Sequence, residues 1–216
     1  MAVSRKREEG GAVSPPDPWD PLIRISHWSV AAAVIFNGLI LKPGGTAHIW
    51  IGWAVLALLA MRLIWGLIGP AEARFSSFLP DPKAAIGHLF GLFRRERPPE
   101  YPSHNPAGAL MVYALWGLLA VVVVTGLTMT GFKSPITLAE EKAAVAAGDW
   151  SVLVQNGAAA ENEGEGLSRI AGEVHGVAAN LILILALVHV AGVAVESRAL
   201  RRNLVRPMIT GRGRPE

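Results

Sequence analysis

Four stretches of this chain, 21–41, 46–68, 106–131 and 170–195, are apolar and nearly free of charge, and the segments joining them are polar. The hydrocarbon core of a bilayer is about 30 Å thick and takes about 20 apolar residues of helix to cross. No water is available there to satisfy backbone N–H and C=O groups, so each stretch must close its hydrogen bonds within itself, as a helix. The chain reads as an all-α integral membrane four-helix bundle. Composition agrees: 17% of the 216 residues are charged, against about 25% in soluble domains.

The ends of the stretches carry start and stop signals. Asp20 can cap the first helix with Pro21 at its first position, Lys42-Pro43-Gly44-Gly45 ends it, Gly69-Pro70 stops the second and Asn105-Pro106 opens the third. The first apolar run begins near Ile25, behind basic Arg5, Lys6 and Arg7 but without a small-x-small cleavage site, and is expected to be retained. Ala84–Arg94 has the pattern of an amphipathic surface helix. Segment 132–168 reads as a polar, acidic outer loop; residues 1–18 and 212–216 read as tails on a membrane domain of 19–211.

With four spans, the N-terminus, the second connection and the C-terminus share one face of the membrane. They carry four, five and six basic residues, fifteen in all, against Lys42, Lys133, Lys142 and Arg169 on the other face. This bias predicts cytoplasmic termini in a multi-pass protein of the bacterial inner membrane. It also accounts for the net charge of +3 without a nucleic-acid partner. The absence of cysteine excludes disulfides, iron–sulfur clusters, thiolate zinc sites and a covalent C-x-x-C-H haem.

Histidine is expensive inside a membrane span and tends to be functional there. His175 and His189 are 14 residues apart on the fourth span, a spacing that returns them to within about 40° of one face and sets them about 21 Å apart. His27 lies early in span one, at the inner level of His189; His48 opens span two, at the outer level of His175. Two histidine pairs stacked across a bundle suit two non-covalent b haems in the bundle core, each iron taking one imidazole on either side. Zinc is the rival, but it prefers three or four ligands, and Glu173 at the outer edge is the only acidic residue in the spans. Arg62, 14 residues after His48, and Arg24, three before His27, are placed to meet the propionates of the inner haem, and Arg169 those of the outer one. A plain inner flank for Arg24 and a snorkelling side chain for Arg62 are the alternatives. His88 and His104, outside the spans, are expected to be surface or capping residues rather than ligands.

Trp19-Asp20-Pro21 with Arg24 and His27-Trp28, then Arg62-Leu63-Ile64-Trp65-Gly66, Ala73-Arg74-Phe75, His104-Asn105-Pro106 with Gly108, Glu173 with His175, His189, Asn203-Leu204-Val205-Arg206 and Met208-Ile209-Thr210-Gly211 occur in this order. In them the chain resembles the bacterial cytochrome b561 family, which includes the b-type cytochrome subunits of nickel–iron hydrogenases. The resemblance runs from about Trp19 to Gly211 and implies a four-helix membrane bundle with two b haems on the four histidines. It also implies electron transfer between the quinone pool and a periplasmic redox protein, such as a c-type cytochrome or a dehydrogenase. The long acidic segment 132–168 departs from the compact members.

Two roles remain open at this point. One is an electron carrier, with quinone or quinol reacting near the inner haem and no free iron position for O₂. The other is a membrane anchor and relay subunit of a larger periplasmic oxidoreductase. A third reading, a histidine-lined metal or proton transporter without haem, would give a colourless preparation.

Overall fold

The computed structural model describes residues 20–70, 73–94, 96, 99, 101, 104–152 and 163–211. The expected tails and part of the outer loop lie outside these residues. Helix α1 runs Pro21–Ile35 and continues as a wider π-turn over Phe36–Ile40; α2 is Thr46–Ile68, α3 Pro82–Phe93, α4 Pro106–Met129, α5 Pro135–Ala146, α6 Glu163–Ala199 and α7 Val205–Thr210. No strand occurs among the described residues. Four helical stretches, 21–40, 46–68, 106–129 and 166–199, are long and apolar enough to cross a membrane.

Four helices start with one local device. Asp20, Asp81, Asn105 and Ser134 each accept a hydrogen bond from a first-turn backbone N–H, at 2.6, 2.9, 2.6 and 3.1 Å, and each precedes a proline at the first helical position. The capping oxygen satisfies a donor that has no partner inside the helix, and proline has no N–H to leave unsatisfied. This device lengthens the surface helix to 82–93 and places α5 inside the segment read as a loop.

Span three stops at 129, because Gly131 and Phe132 both turn left-handed, with φ of 59° and 58°. Span four outruns its apolar stretch, with helix continuing at both ends into polar sequence.

The most extensive interface joins α4 and α6, with α3 against α4 and α2 against both α1 and α4. Val55, Leu59, Leu119, Val123 and Ile182 form the buried core. Ile182 lies seven residues from both His175 and His189, so this apolar layer sits midway between the two histidine levels. Outward residues such as Leu67, Leu187 and Val190 are exposed, as helices facing lipid require.

At the end where α1 begins and α6 ends, the chain folds back on itself. Arg24 Nη1 donates to the Ile209 carbonyl at 3.2 Å and Trp28 Nε1 to that of Met208 at 3.0 Å, so α7 lies on the start of α1. Gly211 ends α7 with φ 69°, and a Cβ there would press on the Arg24 guanidinium. Trp65 Nε1 donates to Asp20 Oδ2 at 3.2 Å and brings the end of α2 to the same place.

Candidate haem-binding sites

The four span histidines meet in the pairs their spacing suggests. The His27 and His189 rings have centroids 6.3 Å apart, and those of His48 and His175 6.2 Å apart, both at 57° between planes. Helix α6 supplies one member of each pair, while α1 and α2 supply the partners.

A bridging metal would need a definite separation. A metal–nitrogen bond of about 2 Å on either side, plus about 1 Å from nitrogen to ring centre, sets two such rings about 6 Å apart. Both pairs meet that distance. His27 Nδ1 and His48 Nδ1 are buried with no hydrogen-bond partner among the described residues, so the protein leaves these rings polar capacity it does not itself use. No group of three or more histidine, aspartate or glutamate side chains suited to a metal ion occurs among the described residues, which fits paired imidazoles better than a zinc site. The residues present therefore fit bis-histidine haem.

The outer pair has further support. Thr125 Oγ1 on α4 lies 2.7 Å from the Val121 carbonyl, 3.1 Å from that of Val122 and 3.1 Å from His175 Nδ1. A hydroxyl has one hydrogen, and the closer Val121 carbonyl takes it. A lone pair then faces His175 Nδ1, which must donate, leaving the Nε2 lone pair for a metal. Asn37, in the π-turn, donates from Nδ2 to the His48 carbonyl at 3.1 Å and ties α1 to the start of α2.

Arg62 does not snorkel. It is 5% exposed, donates from Nη2 to the Ala73 carbonyl at 3.0 Å, and lies over the Phe75 ring at 4.8 Å. Its Nη1 is buried without a hydrogen-bond partner among the described residues, as is Arg24 Nε. Gly66 makes this possible: a Cβ there would collide with the Phe75 ring on which the guanidinium rests. Arg169 is exposed, with no polar partner among the described residues.

His88 is buried rather than at the surface, and His104 is half-buried. His88 is 9% exposed and its Nε2 lies 3.0 Å from Oε2 of Glu196, which is 7% exposed. His104 packs its ring on Phe78, centroids 4.4 Å apart. Burial, then the Arg62 charge and His189, hold its pKa down at about 4, so it is neutral at pH 7.

These features define an integral membrane helical bundle with facing imidazole pairs at two levels and a buried arginine in its second span. The family model for prokaryotic cytochrome b561 matches residues 18–211, and the chain belongs to that family: it is a membrane b-type cytochrome of electron transfer. No curated protein and no solved structure matches significantly.

The Thr125–His175 contact, the stacking of Arg62 on Phe75 and the His88–Glu196 pair escaped the sequence reading. For Thr125 a signal exists: it is the first serine or threonine in a span that is otherwise apolar up to that point except for Tyr113. His88 and Glu196 are 108 residues apart, and nothing local links them.

Proposed function

We propose that the chain holds two b haems, an inner one between His27 and His189 and an outer one between His48 and His175, and carries electrons between quinone and a periplasmic redox protein. The observation that carries this reading is the repetition of one ring-to-ring distance, 6.3 and 6.2 Å, at two levels 14 residues apart on a single helix. Haem, when bound, supplies one-electron exchange between ferric and ferrous iron. His27 with His189, and His48 with His175, would hold the two irons, and iron fully ligated in this way would offer no site to O₂. Arg24 and Arg62, each with a buried unpaired nitrogen, suit the inner propionates, and Arg169 the outer ones less closely. The basic-residue bias supports the inner membrane with both termini in the cytoplasm.

A membrane-anchor and relay role for a larger periplasmic enzyme is the second reading. It is favoured by the outer end, where α5 packs on α2 and Phe132, Ile136 and Trp150 are exposed. A large subunit copurifying in stoichiometric amount would select it.

A pyridine haemochrome assay tests the stoichiometry, with two haems b per chain expected. Replacing His27 or His189 by alanine should remove one haem, and replacing His48 or His175 the other. One haem in the fully loaded wild-type protein, or loss of a haem from His88→Ala or His104→Ala alone, would sink the assignment.

A further inference from the structure

The His88–Glu196 pair takes no part in holding either haem, yet it is the most buried ionisable pair among the described residues, with side chains 3% and 9% exposed. Burying such a pair rarely adds stability over apolar packing of the same volume, because desolvation offsets the attraction. Its position matters more. Glu196 follows His189 by seven residues on α6, on the same helix face and about 10 Å further toward the end that holds the termini. His88 reaches it from α3 and also lines a partly open cavity of about 230 Å³ with Gly87, Gly91, Glu96 and Tyr101, a cavity that Glu196 does not line. The pair thus stands between an opening at that end of the bundle and the inner histidine level.

We infer that His88 and Glu196 form a redox-linked proton site, which takes up one proton through the cavity when the inner level gains an electron and releases it when that electron leaves. This rests on the proposed inner haem. The proton gained is held between His88 Nε2 and Glu196 Oε2, which lie 3.0 Å apart. One electron and one proton arrive together, so the buried region gains no net charge. At about 10 Å and an effective dielectric constant of about 20, one added charge changes the pair's proton affinity about tenfold.

Other groups near the pair are few. Tyr101 sets its ring against His88 at 5.9 Å and Glu96 borders the cavity. Arg198, Arg201 and Arg202 follow Glu196 on the same chain segment, α3 carries Lys83 and ends at Arg94, and α4, packed against both α3 and α6, carries Tyr113 as its only ionisable side chain.

The test is a redox titration of the full-length, haem-loaded protein between pH 5 and 9, with His189→Ala identifying the outer haem's signal. A tenfold coupling corresponds to about 59 mV for one electron, so the inner potential should fall by about that amount from its acid to its alkaline plateau while the outer stays level. Glu196→Gln should abolish the fall with both haems retained, and Glu96→Gln should preserve it. Where Glu196→Gln costs the inner haem, His88→Gln is read in its place and should flatten the curve. Two haems with a pH-independent inner potential in the wild type would overturn this inference alone, as would a fall unchanged in Glu196→Gln or His88→Gln, or one lost in Glu96→Gln. A wild-type protein without an inner haem would overturn the proposed function with it.

Discussion

Arg62 places a guanidinium inside a span and satisfies it in part, with one carbonyl and one aromatic face. A positive charge held near the inner haem would favour the reduced iron, since the ferric state carries more positive charge. Arg62→Gln should lower the inner midpoint potential by tens of millivolts and leave the outer one, about 21 Å away along the bundle, nearly unchanged. Arg62→Lys should do less, keeping the charge and losing the planar fork. An unchanged inner potential in Arg62→Gln, both haems bound, would reduce the arginine to a packing role against Phe75. Thr125 predicts the opposite sign at the other level. By accepting from His175 Nδ1 it makes that imidazole a stronger donor and favours the ferric state. Thr125→Val should therefore raise the outer potential by tens of millivolts and Thr125→Ser should restore it; equal potentials in all three proteins would count against the hydrogen bond.

Among the elements, α4 begins where His104 packs on Phe78, just ahead of the Asn105 cap. With its folded pKa at about 4 against about 6.5 when unfolded, His104 binds its proton first in the unfolded chain. Stability is therefore lost as pH falls from about 6.5 to about 4, by at most about 3 kcal/mol, and no further below that. Unfolding followed between pH 7.5 and 4 should show this loss in the wild type and a smaller one in His104→Gln; matching pH profiles would place the loss elsewhere.

Helix starts were the most legible part of the fold, because a capping side chain followed by proline acts within a few residues. Asp20-Pro21 and Asn105-Pro106 marked α1 and α4, and the second span, 46–68, is found at its expected limits. Ser134-Pro135 carries the same signal for α5, within a segment whose polar, acidic composition reads as a loop. The extra turns of α6 were not legible from hydropathy, which reports where a helix is apolar and not where its hydrogen bonds end. The histidine pairing was legible because two of the four residues share one helix, whose geometry fixes their levels. The burial of His88 was not, since only the packing of α3 onto α4 brings it to Glu196.

At the scale of the whole molecule, the polar connections decide orientation. With both termini in the cytoplasm, as proposed, protease added to intact spheroplasts should cut within the outer loop near 161–165 and spare both ends; cleavage of the termini alone would invert the assignment. The proposed docking of a periplasmic partner would then fall on the end bearing α5, which carries Lys133 bonded to Glu141 at 2.7 Å.

The apolar layer of Val55, Leu59, Leu119, Val123 and Ile182 has a consequence in electrical terms. Built of side chains without a polar group, it would be a dielectric spacer between the two proposed electron-holding levels. Levels about 21 Å apart within about 30 Å of hydrocarbon span roughly two-thirds of the membrane field. A full elementary charge crossing the membrane is worth about 2.3 kcal/mol per 100 mV, so each electron passing between the levels does or absorbs about 1.5 kcal/mol of electrical work per 100 mV. With the two proposed haems bound and the proposed orientation, the energised membrane would act directly on the balance between them, favouring the outer one for the electron when the cytoplasm is negative.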